Sequence, residues 1–403
     1  MMNLPLEGIK VVDTTGFAMG PYASSCLADM GARVIKIEDP IGGDRGRGIK
    51  SVKHVAMGSH NWLHEAVNRG KQSFAVNWKT EDGKKVLCKL IETADVFMTN
   101  MKPKTLKKTG LDYPMLSGIN PRLIYAHCTG WGSKGPYSNV DAFDLIAFAK
   151  AGLMTVMGEP DSPPTKLIPG MGDITAGMVL AYGIVMALFH RERTGEGQIV
   201  ETSLLNSQIT MFALGALQPY LSNRKGHVYD SRKEPANALT NTYRTKDGRW
   251  LMLSMMTADA SWPEFCEVVG AKELTQDLRF VSHETRCHNA TALRKILDGL
   301  FASRALSEWK NLFKEHEFAW SPCQTMEEVA SDPQVIENES IITYEHPELG
   351  PLRILGFPVK FSRTSAQIRS PAPELGQHTE EILQELSYDW EEITRLKENR
   401  TII

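Results

Sequence analysis

Along the first half of the chain, short apolar runs alternate with longer stretches of helical period. IKVVDTT (Ile9–Thr15) is a valine-rich run of strand length and predicts a buried strand. GPYASSCLADMGA follows as a helix of small residues with Gly31 at its end, and RVIKIED is the next strand. Strand, helix and strand in that order make a βαβ unit, which predicts a parallel sheet. KQSFAVNW reads as another strand, and TEDGKKVLCKLIETA as an amphipathic helix started by Thr80. DVFMTN is a strand, KTLKKTGLDYPMLSGI is mostly helical, and RLIYAHCT is a further strand. A doubly wound α/β domain up to about Tyr220 is the economical topology.

The pattern then changes. Ser222–Tyr243 is polar, carries Gly, Pro and Asn, and reads as a linker. YRTKDGRWLMLSMM reads as a hairpin around Lys246-Asp247-Gly248. Helical patterns run from Ser261 to about His316 and predict a smaller α+β domain. After SDPQV come the strand-like LRILGFPVKFS and two polar helices from His378. The expected α/β architecture is a Rossmann-like parallel-sheet large domain (1–221), a linker with a small α+β domain (222–330), and a C-terminal return to the large domain (331–403).

One apolar stretch, Ile174 to Phe189, is a candidate membrane span. It is shorter than the roughly 20 residues a bilayer needs. Gly177 and Gly183 interrupt it and HRER closes it, so a buried core helix is expected.

Composition narrows the function classes. The chain is 42% apolar and 23% charged, as an ordinary globular protein is. A net charge of -3 provides no global field for nucleic acid, so an anionic ligand needs local basic groups. The six cysteines contain no C-x-x-C pair, so neither a zinc site nor a redox motif is expected. MMNLPLEGIKVVD lacks the basic and apolar regions of a secretory signal. A reducing, cytoplasmic location fits these features.

Candidate chemistry sits in four places. The turn TTGFAMGPYAS has Gly16 and Gly20 before a helix but not G-x-G-x-x-G spacing. A nicotinamide site is therefore not expected, although Glu38 ends the second strand where a ribose-binding acid would sit. TNMKPKTLKKTG follows a predicted parallel strand, and Lys102, Lys104, Lys107 and Lys108 bring positive charge to a strand's carboxyl end. This suits a phosphorylated ligand, although for the segment taken alone a solvated helix face is the commoner reading. GWGSKGPYSNVDAFDL is a glycine-rich loop entering an apolar helix, with Asp141 and Asp144 near its start. Finally, Asp173 in KLIPGMGDITAGM precedes the apolar run. It reads as a helix cap or as a nucleophile kept ionised by the helix dipole, and spacing alone decides for neither.

Four blocks resemble the class III CoA-transferase family, also called carnitine-dehydratase-like. They are LEGIKVVDTT...GPYASSCLADMGARVIKIEDPIGGD, DVFMTNMKP....TGLDY..L..INPRLIYAHCTGWGSKGPY, GDITAGM...YGIVMALFHRERTGEGQIVETSL and PELGQHTEEILQEL. The resemblance covers nearly the whole chain. It implies that Asp173 is the catalytic aspartate. It implies CoA contacts at Ala18, at Val76, Asn77, Trp78 and Lys79, at Asn100, Met101 and Lys102, at Lys108, and at Asp141, Ala142, Phe143 and Asp144. Acyl-CoA and a carboxylic acid are then substrates, with no metal and no tightly bound cofactor. Neither nucleic acid nor a membrane is an expected partner. The family's interlocked homodimer would cross at the linker Ser222–Asn241 and the C-terminal return.

Some positions depart from the formyl-CoA transferase pattern. Ala18 replaces a glutamine, Asp39 replaces an arginine, and PANALTNTY stands about where a glycine-rich substrate loop would be. Formate and oxalate are therefore poor substrate guesses. In the family's α-methylacyl-CoA racemases a histidine would stand at Phe143, and phenylalanine cannot take a proton. Transfer through a mixed anhydride and an aspartyl-CoA thioester is thus expected over α-proton exchange, with an inactive CoA-binding scaffold as a third reading. MGEPDSPPTKLIPG and MLSMMTADASW supply Met, Trp and Pro. They point to an apolar or aromatic acyl pocket, or to ordinary core methionines.

Overall fold

The computed structural model describes residues 4–48, 61–159, 162–212 and 231–403. The chain divides into two compact units, one of residues 1–154, 166–217 and 339–403, the other of 155–165 and 218–338.

The first unit is built on six parallel strands: β1 (Lys10–Asp13), β2 (Arg33–Glu38), β3 (Lys71–Ala75), β4 (Val96–Thr99), β5 (Ile124–Thr129) and β6 (Gln198–Ser203). Their order is β3-β2-β1-β4-β5-β6, so the winding direction reverses between β1 and β4. Alternate residues serve opposite faces, as the two-residue period of a strand requires. Val11, Val34, Val96 and Ile124 pack on the side of helices α1 (Met19–Asp29) and α7 (Met171–Thr194). Val12, Ile35, Phe97 and Tyr125 pack on the side of α3 (Glu81–Glu92), α4 (Pro103–Thr109) and α5 (Tyr113–Ile119). Among the described residues before 212 the remaining α-helices are α2 (Trp62–Asn68), α6 (Asp144–Lys150) and α8 (Leu204–Met211).

Sequence chemistry accounts for these elements locally. Thr80 caps α3 by accepting from the Gly83 N–H. The stretch expected to be mostly helical over Lys104–Ile119 is two helices, because Gly110 takes a left-handed φ of 68° and ends α4. The C-terminal return packs Ile382, Leu383, Ile393 and Leu396 into the β3-side core. An antiparallel pair, Ile341–His346 with Gly350–Leu355, also belongs to this unit.

The apolar run expected to be a buried core helix is buried on one face only. Ala176, Leu180, Ile184 and Ala187 enter the core, whereas Met178, Tyr182, Val185, Met186 and Phe189 are exposed, Tyr182 by 68%. Apolar residues all round therefore conceal two different faces. The helix reaches 24 residues, which by length and composition is enough to cross a membrane.

The second unit has its own core. Thr240–Arg244 and Trp250–Ser254 form the expected hairpin, and Trp320–Pro322 adds a third antiparallel strand. Met255 and Trp262, read as possible pocket residues, are buried in this core with Phe265, Phe301 and Trp309. Residues 222–230 of the expected linker, and the expected boundary at 221, lie outside the described residues.

Candidate active site

The carboxyl ends of β1 and β4 open the crevice where the sheet reverses, the usual ligand site of such sheets. Asn100, just past β4, ties the two strand ends together. Its side chain accepts from the Gly16 N–H (3.2 Å) and donates to the Gly16 carbonyl (3.0 Å).

Behind this loop lies a fully buried ion pair. Lys36, the one charge between apolar neighbours in RVIKIE, places Nζ 2.7 Å from Asp44 Oδ2. The same Nζ donates to the Thr15 carbonyl (2.9 Å). Asp44 Oδ1 accepts from the N–H groups of Phe17 (3.0 Å) and Gly46 (2.8 Å). Burial raises the Asp44 carboxyl, and the Lys36 charge and these hydrogen bonds outweigh it, so its pKa is lowered. Glu38, the potential ribose acid, is also occupied: it accepts from Arg47, Ser73 and the Asp44 N–H.

Asp173 is not the N-cap of its helix. Gly170 is the cap, and Asp173 is the third residue of the first turn. The capping carboxylate comes from Asp144, the first residue of α6. Asp144 Oδ2 accepts from the Gly170 N–H at 2.6 Å, and the N–H groups of Gly172 and Asp173 face the same carboxylate and favour its charge. Gln208 on α8 donates to Asp144 Oδ1 at 3.1 Å. Gly172 is required at this contact, since a Cβ there would lie 2.2 Å from both Asp144 Oδ1 and Gln208 Nε2.

The Asp173 carboxylate makes no hydrogen bond among the described residues. Burial, and then the negative charge of Asp144, push it up to about 7. This reverses the expectation that the helix dipole holds Asp173 ionised: the donors that would do so face Asp144 instead. Cys128, at the end of β5, is close enough for the Asp173 charge to raise its thiol further. Gly177, one turn beyond Asp173, lets α7 meet α1; a Cβ there would be 2.7 Å from the Met19 carbonyl oxygen. Asp173 thus lies among the β1–α1 loop, the end of β5 and the start of α6.

The other residues named from sequence fall in two groups. Ala18 is the buried N-cap of α1, beside the crevice. Lys102 starts α4 and pairs with Asp141 at 2.7 Å. This brings Asn100, Met101 and Lys102 to Asp141, Ala142, Phe143 and Asp144. Asp141 lies three residues before α6, which begins at Asp144. Lys108 is exposed on α4. Val76, Asn77, Trp78 and Lys79 lie beyond β3, at the far edge of the sheet. Val76 is fully buried in the core, so its side chain is not open to a ligand. Lys79 is exposed, 3.7 Å from Asp39.

Sequence reading missed Phe17, Lys36, Asp44 and Gln208. Lys36 carried a signal, since a lone lysine in a buried parallel strand needs a buried partner. The others carried none.

These features define a doubly wound α/β protein with an unpaired carboxylate beside its switch-point crevice. The chain belongs to CoA-transferase family III, whose model matches residues 6–379. It is 32% identical, over 98% of its length and 99% of the relative's, to the (R)-2-hydroxy-4-methylpentanoate CoA-transferase of Clostridioides difficile. It is 33% identical to the succinyl-CoA:glutarate CoA-transferase of Homo sapiens, over 96% of this chain and 87% of that one. A CAIB/BAIF family protein from Brucella suis has the same fold, with a TM-score of 0.83 and 30% identity over 96% of this chain and 100% of its own. The chain is an enzyme of the CoA-transferase class.

Proposed function

We propose that this enzyme moves CoA from an acyl-CoA thioester to a free carboxylic acid, with Asp173 as the covalent nucleophile. The observation that carries this reading is the unpaired Asp173 carboxylate at the crevice, in a turn whose N–H groups Asp144 has taken.

Asp173 attacks the thioester carbonyl carbon, the C–S bond breaks, and CoA leaves as thiolate. The mixed anhydride is attacked by that thiolate at the Asp173 carbonyl, which frees the donor acid and leaves an aspartyl-CoA thioester. The acceptor carboxylate displaces CoA thiolate again. The thiolate then attacks the acceptor's acyl carbon, and Asp173 returns as carboxylate. One thioester replaces another, so the sequence of steps balances without a further reactant. Carboxylate desolvation supports nucleophilicity, at the cost of a raised pKa.

Each tetrahedral stage needs oxyanion donors. The first turn of α7 is a poor source, because its N–H groups already serve Asp144. The N–H groups of Ala18 and Met19, at the start of a helix without a side-chain cap, have no acceptor among the described residues and are the better candidates.

Lys104, Lys107 and Lys108 form no ion pair among the described residues, which supports a role in attracting the CoA phosphates. Asn100, Lys102 and the 141–144 segment, linked by the Lys102–Asp141 pair, and Asn77–Lys79 beyond β3 are the remaining CoA contacts in this reading. Phe143 supports transfer over racemisation, since no proton acceptor stands there. The exposed apolar face of α7 supports the family's interlocked homodimer. Six free cysteines support a reducing, cytoplasmic compartment.

The test is mass spectrometry of enzyme mixed with an acyl-CoA and hydroxylamine, together with an Asp173→Ala variant. A hydroxamate on Asp173 and loss of transfer in the folded variant are expected. An unmodified Asp173 under turnover, or a variant with wild-type turnover, would overturn the reading.

A further inference from the structure

Resting on that reading, we infer that Phe17 and Phe143 form the wall against which the transferred acyl group lies, and that they select neutral apolar or aromatic acyl groups over dicarboxylic ones.

Phe17 has a φ of 68°, in the left-handed region that bulky side chains rarely adopt. Such a conformation persists only where its surroundings impose it. Here they do. The Phe17 N–H is bound by Asp44, Asp44 is bound by Lys36, and Lys36 also grips the Thr15 carbonyl. The direction of the ring is thus set by buried charges two strands deep.

That ring meets Phe143 edge to face, with centroids 5.8 Å apart and planes at 88°. Phe143 is 60% exposed, a large open aromatic surface at the cap of α6. Both rings are carried by segments that meet the helix of Asp173. Phe143 immediately precedes Asp144, which holds the first turn of that helix. Phe17 lies two residues before Met19, whose carbonyl oxygen abuts α7 at Gly177. Asp173 and Gly177 are four residues apart and share a helix face.

The charges nearby point the same way. Lys36 is buried and spent on Asp44 and Thr15, and Lys102 is paired with Asp141. A second carboxylate on the acyl chain would meet the negative faces of two rings and the charge of Asp144. An aryl or branched aliphatic chain would instead bury apolar surface against the rings.

The experiment uses the full-length enzyme and isotope exchange between each acyl-CoA and its own labelled free acid, so no acceptor has to be guessed. Donors are 3-phenylpropanoyl-CoA, 4-methylpentanoyl-CoA and succinyl-CoA. The wild type is expected to favour the first two over succinyl-CoA by about tenfold or more in kcat/KM, the scale on which a shaped apolar pocket discriminates. Phe143→Ala should lower kcat/KM on those two donors roughly tenfold more than on succinyl-CoA. Phe143→Leu, which keeps an apolar surface, should retain the preference for 4-methylpentanoyl-CoA. Melting curves check that each variant is folded.

A wild type that exchanges succinyl-CoA equally well or better overturns the inference and leaves the transfer reading standing. So does an equal loss on all three donors in Phe143→Ala. Absence of exchange with every donor, with no hydroxamate on Asp173, overturns both.

Discussion

Asp144 and Asp173 share one helix turn, and Asp144 takes its N–H groups while Asp173 takes none. The acid from the neighbouring helix is the structural one. It satisfies the orphan donors that every helix start presents. The acid within the turn is left desolvated and beside a like charge, so its carboxyl ionises near pH 7.

A pH profile follows from this pairing. Because attack needs the carboxylate, kcat/KM for an acyl-CoA should fall as pH drops through about 7. In Asp144→Asn the repulsion is gone, so the midpoint should move to lower pH. Initial rates from pH 5 to 9 in both proteins measure it. A merely structural role for Asp144 would lower the rate at every pH and leave the midpoint unmoved.

The same carboxylate should cost stability. Asp173 has a folded pKa above its unfolded value, so its contribution is most favourable at low pH and is lost as pH rises toward and past 7. Asp173→Asn should therefore be more stable than wild type at pH 8.5, by about 1–2 kcal/mol after discounting for partial exposure, with the gap narrowed at pH 5. Calorimetry at the two pH values checks both the sign and the trend.

Gly172→Ala should break the cap without touching Asp173 itself. The new Cβ would fall 2.2 Å from Asp144 and Gln208, so α6, α7 or α8 must shift. A loss of about 1–3 kcal/mol in urea unfolding is expected, the usual cost of overpacking, along with reduced kcat.

The Lys36–Asp44 pair can be separated from its charges. Asp44→Ala leaves a buried ammonium unpaired and should cost about 3–5 kcal/mol. The double variant Lys36→Met, Asp44→Leu should recover much of that stability while still losing the hydrogen bond that fixes Phe17. Urea unfolding reports the first effect, and donor preference reports the second.

Lys108→Ala should raise KM for acyl-CoA about two- to fivefold with kcat unchanged, since a phosphate contact contributes equally to ground and transition states. The effect should shrink in high salt. Steady-state kinetics at two ionic strengths test it.

Much of the fold was legible along the chain. The short apolar runs in KVVD and RVIKIE marked buried strands, and Thr80 marked the start of α3. The βαβ order led directly to the parallel sheet. Strand β6 does not stand out in the sequence, because QIVETS is short and mixes polar with apolar side chains. The exposed face of α7 was hidden for a different reason: Met178, Val185 and Phe189 are apolar, as Leu180 and Ile184 are, so hydropathy cannot tell the two faces apart.

The sequence by itself determined the order of strands and helices, the family, and the single carboxylate that stands ahead of the apolar helix. Those depend on local periodicity and on residue types at fixed spacing. Only the tertiary structure decided that Asp144 caps that helix, that Asp173 is raised rather than lowered, and that Phe17 is turned against Phe143. Each of these depends on which distant groups share a desolvated volume. Hydrogen-bond donors, charge and burial combine there only once the chain has packed.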